Sequence, residues 1–272
     1  MRRRQLVELE DLSWFPRVIR DGLTSYLAWV SELTGQIEFL LPPLERLLRR
    51  TGENELLDLC SGGAGPIPQV VARLRSRGLT VHATLSDFYP NREALAHACA
   101  GSDGTLDWIE RPIDALRVPE ELPGVRTMWN AFHHFPPERA REILASAVRA
   151  RRPIAVFEFL TREPLQLVGL CISPFVALLT APLWRPFRMA NVFFSWLVPV
   201  IPLVVFWDGI VSWLRIYDED ELRELVTPLA DVYEWEIGRI RLGGPPAHAG
   251  YLLGAPRAAP RAEERLGPLN PA

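Results

Sequence analysis

The stretch Glu55-Leu-Leu-Asp-Leu-Cys-Ser-Gly-Gly-Ala-Gly-Pro66 decides the fold, because an apolar strand runs without interruption into a glycine-rich turn. Gly62, Gly63 and Gly65 carry no Cβ and accept positive φ, while Pro66 and Pro68 suit the first turn of a helix reaching about Gly78. A strand, a loop and a helix in that order make a cradle. Its free N–H groups and the positive end of the helix dipole suit a carboxylate or phosphate on a bound molecule.

Nucleoside triphosphates are poorly served, since a phosphate-binding loop needs a lysine after its last glycine and the chain contains none; all 30 Lys+Arg positions are arginine. The same absence removes Schiff-base chemistry. A dinucleotide competes more seriously, because Asp87 ends a second strand about 20 residues past the glycines, where an acid meets a ribose hydroxyl. Counting from Gly63 and Gly65, however, the third glycine of the dinucleotide fingerprint is Pro68, where close helix-to-strand packing is lost.

Asp58-Leu-Cys-Ser-Gly-Gly-Ala-Gly65 resembles the acid-x-Gly-x-Gly-x-Gly pattern of the class I S-adenosylmethionine-dependent methyltransferase family. The resemblance continues through Thr84-Leu-Ser-Asp87, Asp114, Trp129-Asn-Ala-Phe-His-His-Phe135 and Pro153-Ile-Ala-Val-Phe-Glu-Phe159, each at a strand end, and covers residues 53 to 160 with a weaker tail to 256. It implies S-adenosylmethionine as cofactor, with Gly62, Gly63 and Gly65 at the methionyl part, Asp87 at the ribose and Asp114 at the adenine amino group. Asp58, Cys60, Phe88 and Asn130, at the ends of the first, second and fourth strands, complete the cofactor-binding candidates. Two departures stand out: Ser61 replaces a glycine common in the family, and Pro66 stiffens the loop exit.

Alternation predicts strands near 55–60, 80–86, 105–109, 125–130 and 153–159, with 231–241 and 248–254 as the last two and a helix opened by Asp218-Glu-Asp-Glu221. The expected fold is α/β, a Rossmann-like doubly wound sheet of the class I methyltransferase type, with ligands at the strand carboxyl ends. Residues 1–50 read as an N-terminal helical cap, 51–256 as the main domain, and 257–272 as a disordered tail rich in proline, alanine and arginine. Trp14, Phe15, Tyr26 and Trp29 in the cap either face the acceptor or pack against the core.

Residues 164–214, after the fifth strand, form an apolar helical insertion. Pro164 to Trp184 carries no charge and Met189 to Leu214 only Asp208, so each approaches the roughly 20 residues of a membrane helix. Arg185 and Arg188 between them oppose a full transmembrane hairpin on the positive-inside tendency, and prolines at 174, 182, 199 and 202 oppose straight spans. The expectation is a re-entrant or interfacial hairpin with Trp184, Trp196, Trp207 and Trp213 at headgroup depth. The alternative is an apolar lid over the active site. Either implies a hydrophobic small-molecule or lipid-like acceptor, with the protein cytoplasmic or on the cytoplasmic face of the membrane.

Methyl transfer from a sulfonium needs alignment above all, and a base only where the acceptor is protonated. His133 and His134, just after the fourth strand, are the candidate bases, and Glu158, ending the fifth, is placed to orient an acceptor or a histidine. Asn130 is followed by Ala-Phe-His, which gives no support to amine methylation on nucleobases. The formal net charge of -3 gives no global attraction to nucleic acid. Cys60, Cys99 and Cys171 lack ligand or disulfide spacing, so no metal is expected from the sequence. Competing functions are a non-catalytic membrane adaptor that keeps the fold and, with its missing glycine, an NAD-dependent oxidoreductase.

Overall fold

The computed structural model describes residues 3–243 and 247–257; the tail expected at 257–272 lies, beyond Arg257, outside the described residues. Seven strands form one sheet: β1 Glu55–Leu59, β2 His82–Ser86, β3 Leu106–Trp108, β4 Val125–Trp129, β5 Ile154–Glu158, β6 Tyr233–Arg241 and β7 His248–Pro256. Their order is β3-β2-β1-β4-β5-β7-β6, parallel throughout except that β7 runs antiparallel to both neighbours. Strand order reverses between β1 and β4, the switch point at which a doubly wound sheet opens a crevice for ligands. The central strands are buried on both faces, as their continuous apolar runs require.

Helices α1 Arg17–Thr34, α2 Gln36–Thr51, α3 Ile67–Ser76, α4 Arg92–Ala100 and α5 Pro137–Arg149 accompany the first five strands. The insertion supplies α6 Pro164–Thr180, a short α7 Met189–Val192 continued by a wider turn over Phe193–Leu197, and α8 Val200–Arg215. Helix α9, Glu219–Val226, begins with the expected acids. Asp218 accepts the backbone N–H of Glu221 while the Glu221 carboxylate accepts that of Asp218, closing a capping box.

The cap divides in its packing. Leu40, Leu41, Leu44, Leu47 and Leu48 of α2 join α3 and one face of the sheet in the main core. Phe15, Ile19, Leu23 and Tyr26, from α1 and the residues before it, pack instead with Ala177, Trp184, Ile201, Val204 and Val205 of the insertion, a separate cluster. Of the aromatic residues expected to face either acceptor or core, Phe15 and Tyr26 are therefore core, whereas Trp14 is exposed.

Candidate functional site

The β1 loop is fastened from behind. Asp58, 2% exposed, accepts from the hydroxyl of Thr127 on β4 at 2.7 Å and from that of Ser61 at 2.7 Å. Ser61 also exchanges bonds with β2, its N–H donating to Ser86 O at 3.0 Å and its Oγ accepting from Ser86 N–H at 3.1 Å. The serine that departs from the glycine pattern thus ties β1 to β2 at the mouth of the crevice, while Asp58 ties β1 to β4. Burial, opposed by those two hydroxyl donors and aided by the charge of Asp87, pushes the Asp58 carboxyl up to about 7.

Backbone strain falls on two of the candidate residues and on Ala64 in the loop, as well as on Asp103 and Arg151 elsewhere. Cys60, Ala64 and Asn130 are non-glycine residues with φ of 59°, 84° and 53°, a conformation kept only where surrounding structure enforces it. Gly62 and Gly65 take positive φ as expected, at 53° and 48°, but Gly63 does not; Ala64 carries that conformation in its place. A Cβ built on Gly63 would lie 3.6 Å from the Thr24 methyl, so α1 passes close over the loop.

Asp87 ends β2 with its carboxylate turned to this loop: Oδ2 accepts the Gly62 N–H at 2.7 Å and Oδ1 the Tyr89 N–H at 2.7 Å. Phe88 is 47% exposed beside it, edge-on to Tyr89 at 4.8 Å. The Asp87 carbonyl accepts from Ile113 N–H, which sets Asp114 next to the β2 end, where its Oδ1 caps a turn at Leu116. The Cys60 thiol is pushed up by burial and by the charges of Asp87, Asp58 and Asp114, so four sequence candidates share one neighbourhood. Asn130 stands across the switch point, its N–H donating to Phe157 O at 2.7 Å and its side-chain oxygen accepting from Phe159 N–H at 3.4 Å.

The histidines sit in a second, buried cluster. His133 Nδ1 lies 2.8 Å from Glu158 Oε2, and its backbone N–H donates to Glu158 Oε1 at 2.9 Å. His133 is 1% exposed and its Nε2 faces Glu8 Oε1 at 3.7 Å. His134 Nδ1 lies 2.8 Å from Asp11 and 3.3 Å from Glu8. Burial works against its charge, but the Asp11 hydrogen bond and the charges of Glu8, Asp11 and Glu10 hold the imidazole up to about 9. In this arrangement Glu8 stands beside His133 Nε2 without a hydrogen bond to it, and Asp11 occupies His134 Nδ1.

Sequence reasoning missed the partners in this cluster. Glu8 and Asp11 come from the N-terminal segment, and Arg215, 4% exposed, from the end of α8; Arg215 Nη1 lies 3.1 Å from Glu8 and 2.7 Å from Asp11. The segment is strapped down by Arg3, donating to the carbonyls of His133 and Phe135, and by Asp208, accepting from the N–H groups of Leu9 and Glu10. The acids were visible in the sequence, but nothing local announced what they meet.

The insertion leaves much apolar surface open. Leu165, Val168, Ile172, Phe175 and Leu179 recur at three- and four-residue spacing on α6 and are 48–74% exposed. Helix Pro164–Leu183 is long and apolar enough to cross a membrane, while Met189–Leu197 meets Val200–Arg215 at a bend of 82°. Two of the four tryptophans expected at headgroup depth are buried instead. Trp184 packs on Tyr26 with centroids 5.4 Å apart, and Trp213 is 6% exposed, its ring N–H directed to Glu163 O; only Trp196 and Trp207 are exposed.

No family model and no curated protein matches this sequence. Among solved structures, the plantazolicin methyltransferase BpumL in complex with SAH is similar over 91% of this chain and 93% of that chain, with a TM-score of 0.51 at 13% identity. The same enzyme with a monoazolic desmethylPZN analog and SAH aligns over 89% and 90%, with a TM-score of 0.50 at 13% identity. Strand order, antiparallel β7 and this likeness agree: the chain has the Rossmann-like class I methyltransferase fold.

Proposed function

We propose that the protein transfers a methyl group from S-adenosylmethionine to a hydrophobic small-molecule or lipid-like acceptor at the cytoplasmic face of a membrane. The observation that carries the cofactor assignment is the strained loop at Cys60–Gly65, tied to Asp87 and lying at the switch point of the sheet. Solved structures of similar fold are complexes with SAH, which supports the same choice. In this reading Gly62, Gly63 and Gly65 let the backbone approach the methionyl part, Asp87 receives the ribose hydroxyls, Phe88 covers the adenine and Asp114 meets its amino group.

The exposed stripe on α6 supports the membrane part, because contiguous large apolar side chains on a free surface mark a contact site. Phe193, Trp196 and Leu197 extend it around an open apolar hollow of about 710 Å³. The 82° bend favours an interfacial seat over two straight spans. Displacement at the sulfonium then rests on alignment of donor and acceptor. Use of His133, with Glu158 behind it, as a proton acceptor would require Glu8 to leave Nε2.

The test is incubation of the liposome-bound protein with methyl-tritiated S-adenosylmethionine and a total lipid extract, followed by solvent partition. Label in the organic phase that is lost in Asp87→Ala supports the reading. Cofactor binding with no labelled product from any hydrophobic fraction would contradict the catalytic part and favour an adaptor.

A further inference from the structure

The buried cluster beneath the N-terminal segment has no place in the cofactor reading. Glu8, His133 and His134 each offer one ligand atom, and these atoms lie within 4.8 Å of one another. The two Glu8 oxygens face one imidazole each, Oε1 lying 3.7 Å from His133 Nε2 and Oε2 3.3 Å from His134 Nδ1, near the roughly 3.3–3.6 Å between ligands held tetrahedrally about 2.0–2.2 Å from one ion, so the carboxylate can offer either oxygen or both.

His133 Nε2 and Glu8 Oε2 are buried and make no hydrogen bond among the described residues, in side chains 1% and 0% exposed, and Glu8 Oε2 has only its ion-pair contact with His134 Nδ1 at 3.3 Å. Unmet polar atoms so deeply buried are costly and call for a partner. His133 is also set as metal-bound histidines are, its Nδ1 held by the Glu158 carboxylate so that Nε2 points inward. Three carboxylates, Glu8, Asp11 and Glu158, touch the imidazoles against one guanidinium, Arg215, so a divalent charge would balance the set with neutral histidines.

We propose that Glu8, His133 and His134 form a binding site for a divalent ion of the zinc class, with Glu158 orienting His133. Two imidazoles and one carboxylate suit such an ion and not magnesium or calcium, which prefer all-oxygen sets. Binding releases a proton from His134 to solvent and exchanges its Asp11 contact for the ion; Asp11 keeps Arg215, at 2.7 Å. Arg215 Nη1, 3.4 Å from His134 Nδ1, turns away toward Asp11. The ion would pin the N-terminal segment to the carboxyl edge of β4 and withdraw His133 from proton transfer.

This inference goes beyond the methyl-transfer reading, and its readout needs neither cofactor nor acceptor. The full-length protein, stripped with chelator and dialysed, is titrated with cobalt(II), and metal content after zinc loading is measured by mass spectrometry. The expected results are one equivalent of zinc and the intense visible d–d bands of tetrahedral cobalt(II). Glu8→Gln and His133→Gln should lose both, whereas Asp11→Asn keeps them. Should either ligand variant fail to fold, the wild-type titration decides alone. Substoichiometric zinc without cobalt bands, or undiminished bands in folded Glu8→Gln, would overturn the site and leave an ion-pair network.

Discussion

The backbone N–H of Gly62 donates to Asp87 Oδ2 across 2.7 Å, joining the β1 loop to the end of β2 over 25 residues of sequence. Asp87 is thus a loop anchor as well as the residue assigned to the ribose. Asp87→Ala removes both, and hydrogen bonds to charged groups are worth about 1.5–3 kcal/mol. We expect S-adenosylhomocysteine affinity to fall by roughly tenfold to a hundredfold, with the fold intact by circular dichroism. Unchanged calorimetric affinity in the folded variant would exclude Asp87 from the site.

Asp58 gives the protein a pH signature. Its folded carboxyl titrates at about 7, far above the ordinary value, so the native state holds a proton that the unfolded chain has lost between about pH 4 and 7. Stability from this group is full below about pH 4 and declines as pH rises through 7. Asp58→Asn keeps an acceptor for Thr127 and removes the charge, so its urea midpoint should exceed wild type at pH 8 and converge with it near pH 4. Parallel curves at both pH values would show that Asp58 is not held protonated.

Arg126, 1% exposed in the middle of β4, donates from Nη1 to Ser146 Oγ at 3.0 Å, while Nε and Nη2 make no hydrogen bond among the described residues. A buried guanidinium with one neutral hydrogen-bond partner keeps most of its desolvation cost uncompensated, and an apolar side chain of similar length avoids that cost. Arg126→Met should therefore raise the denaturation midpoint. A lower midpoint would mean that the guanidinium is worth more to the sheet than its contacts indicate.

The α6 stripe predicts membrane behaviour. Burying each large apolar side chain is worth about 1.5–3 kcal/mol, so two charges placed there should release the protein from lipid. Phe175→Asp with Leu179→Asp, at positions 64% and 74% exposed, should abolish co-flotation with liposomes and leave thermal stability unchanged. Flotation equal to wild type would move the contact elsewhere or remove it.

The sheet was legible because β1, β2, β4 and β5 are short, largely apolar runs followed or closed by a polar, charged or glycine-rich turn, while β6 and β7 show alternation or a long apolar stretch, and all seven fall within two or three residues of the expected bounds. The loop at Cys60–Gly65 was legible for the same local reason, although the positive φ expected at Gly63 moved to Ala64. Trp184 and Trp213 were misplaced because hydropathy counts apolar residues without saying which face another helix covers; α1 claims Trp184. The cluster around His133 was hidden for a different reason. The contacts that Glu8 and Asp11 bring to it each span 123 residues or more, and ion pairs over such separations leave no periodicity to read.

Calorimetric titration of the detergent-purified protein with S-adenosylhomocysteine, beside NADH as control, bears most directly on the proposed function. Micromolar binding of S-adenosylhomocysteine and none of NADH is the predicted result. Binding of NADH alone, or of neither, would contradict the assignment of the glycine loop to S-adenosylmethionine.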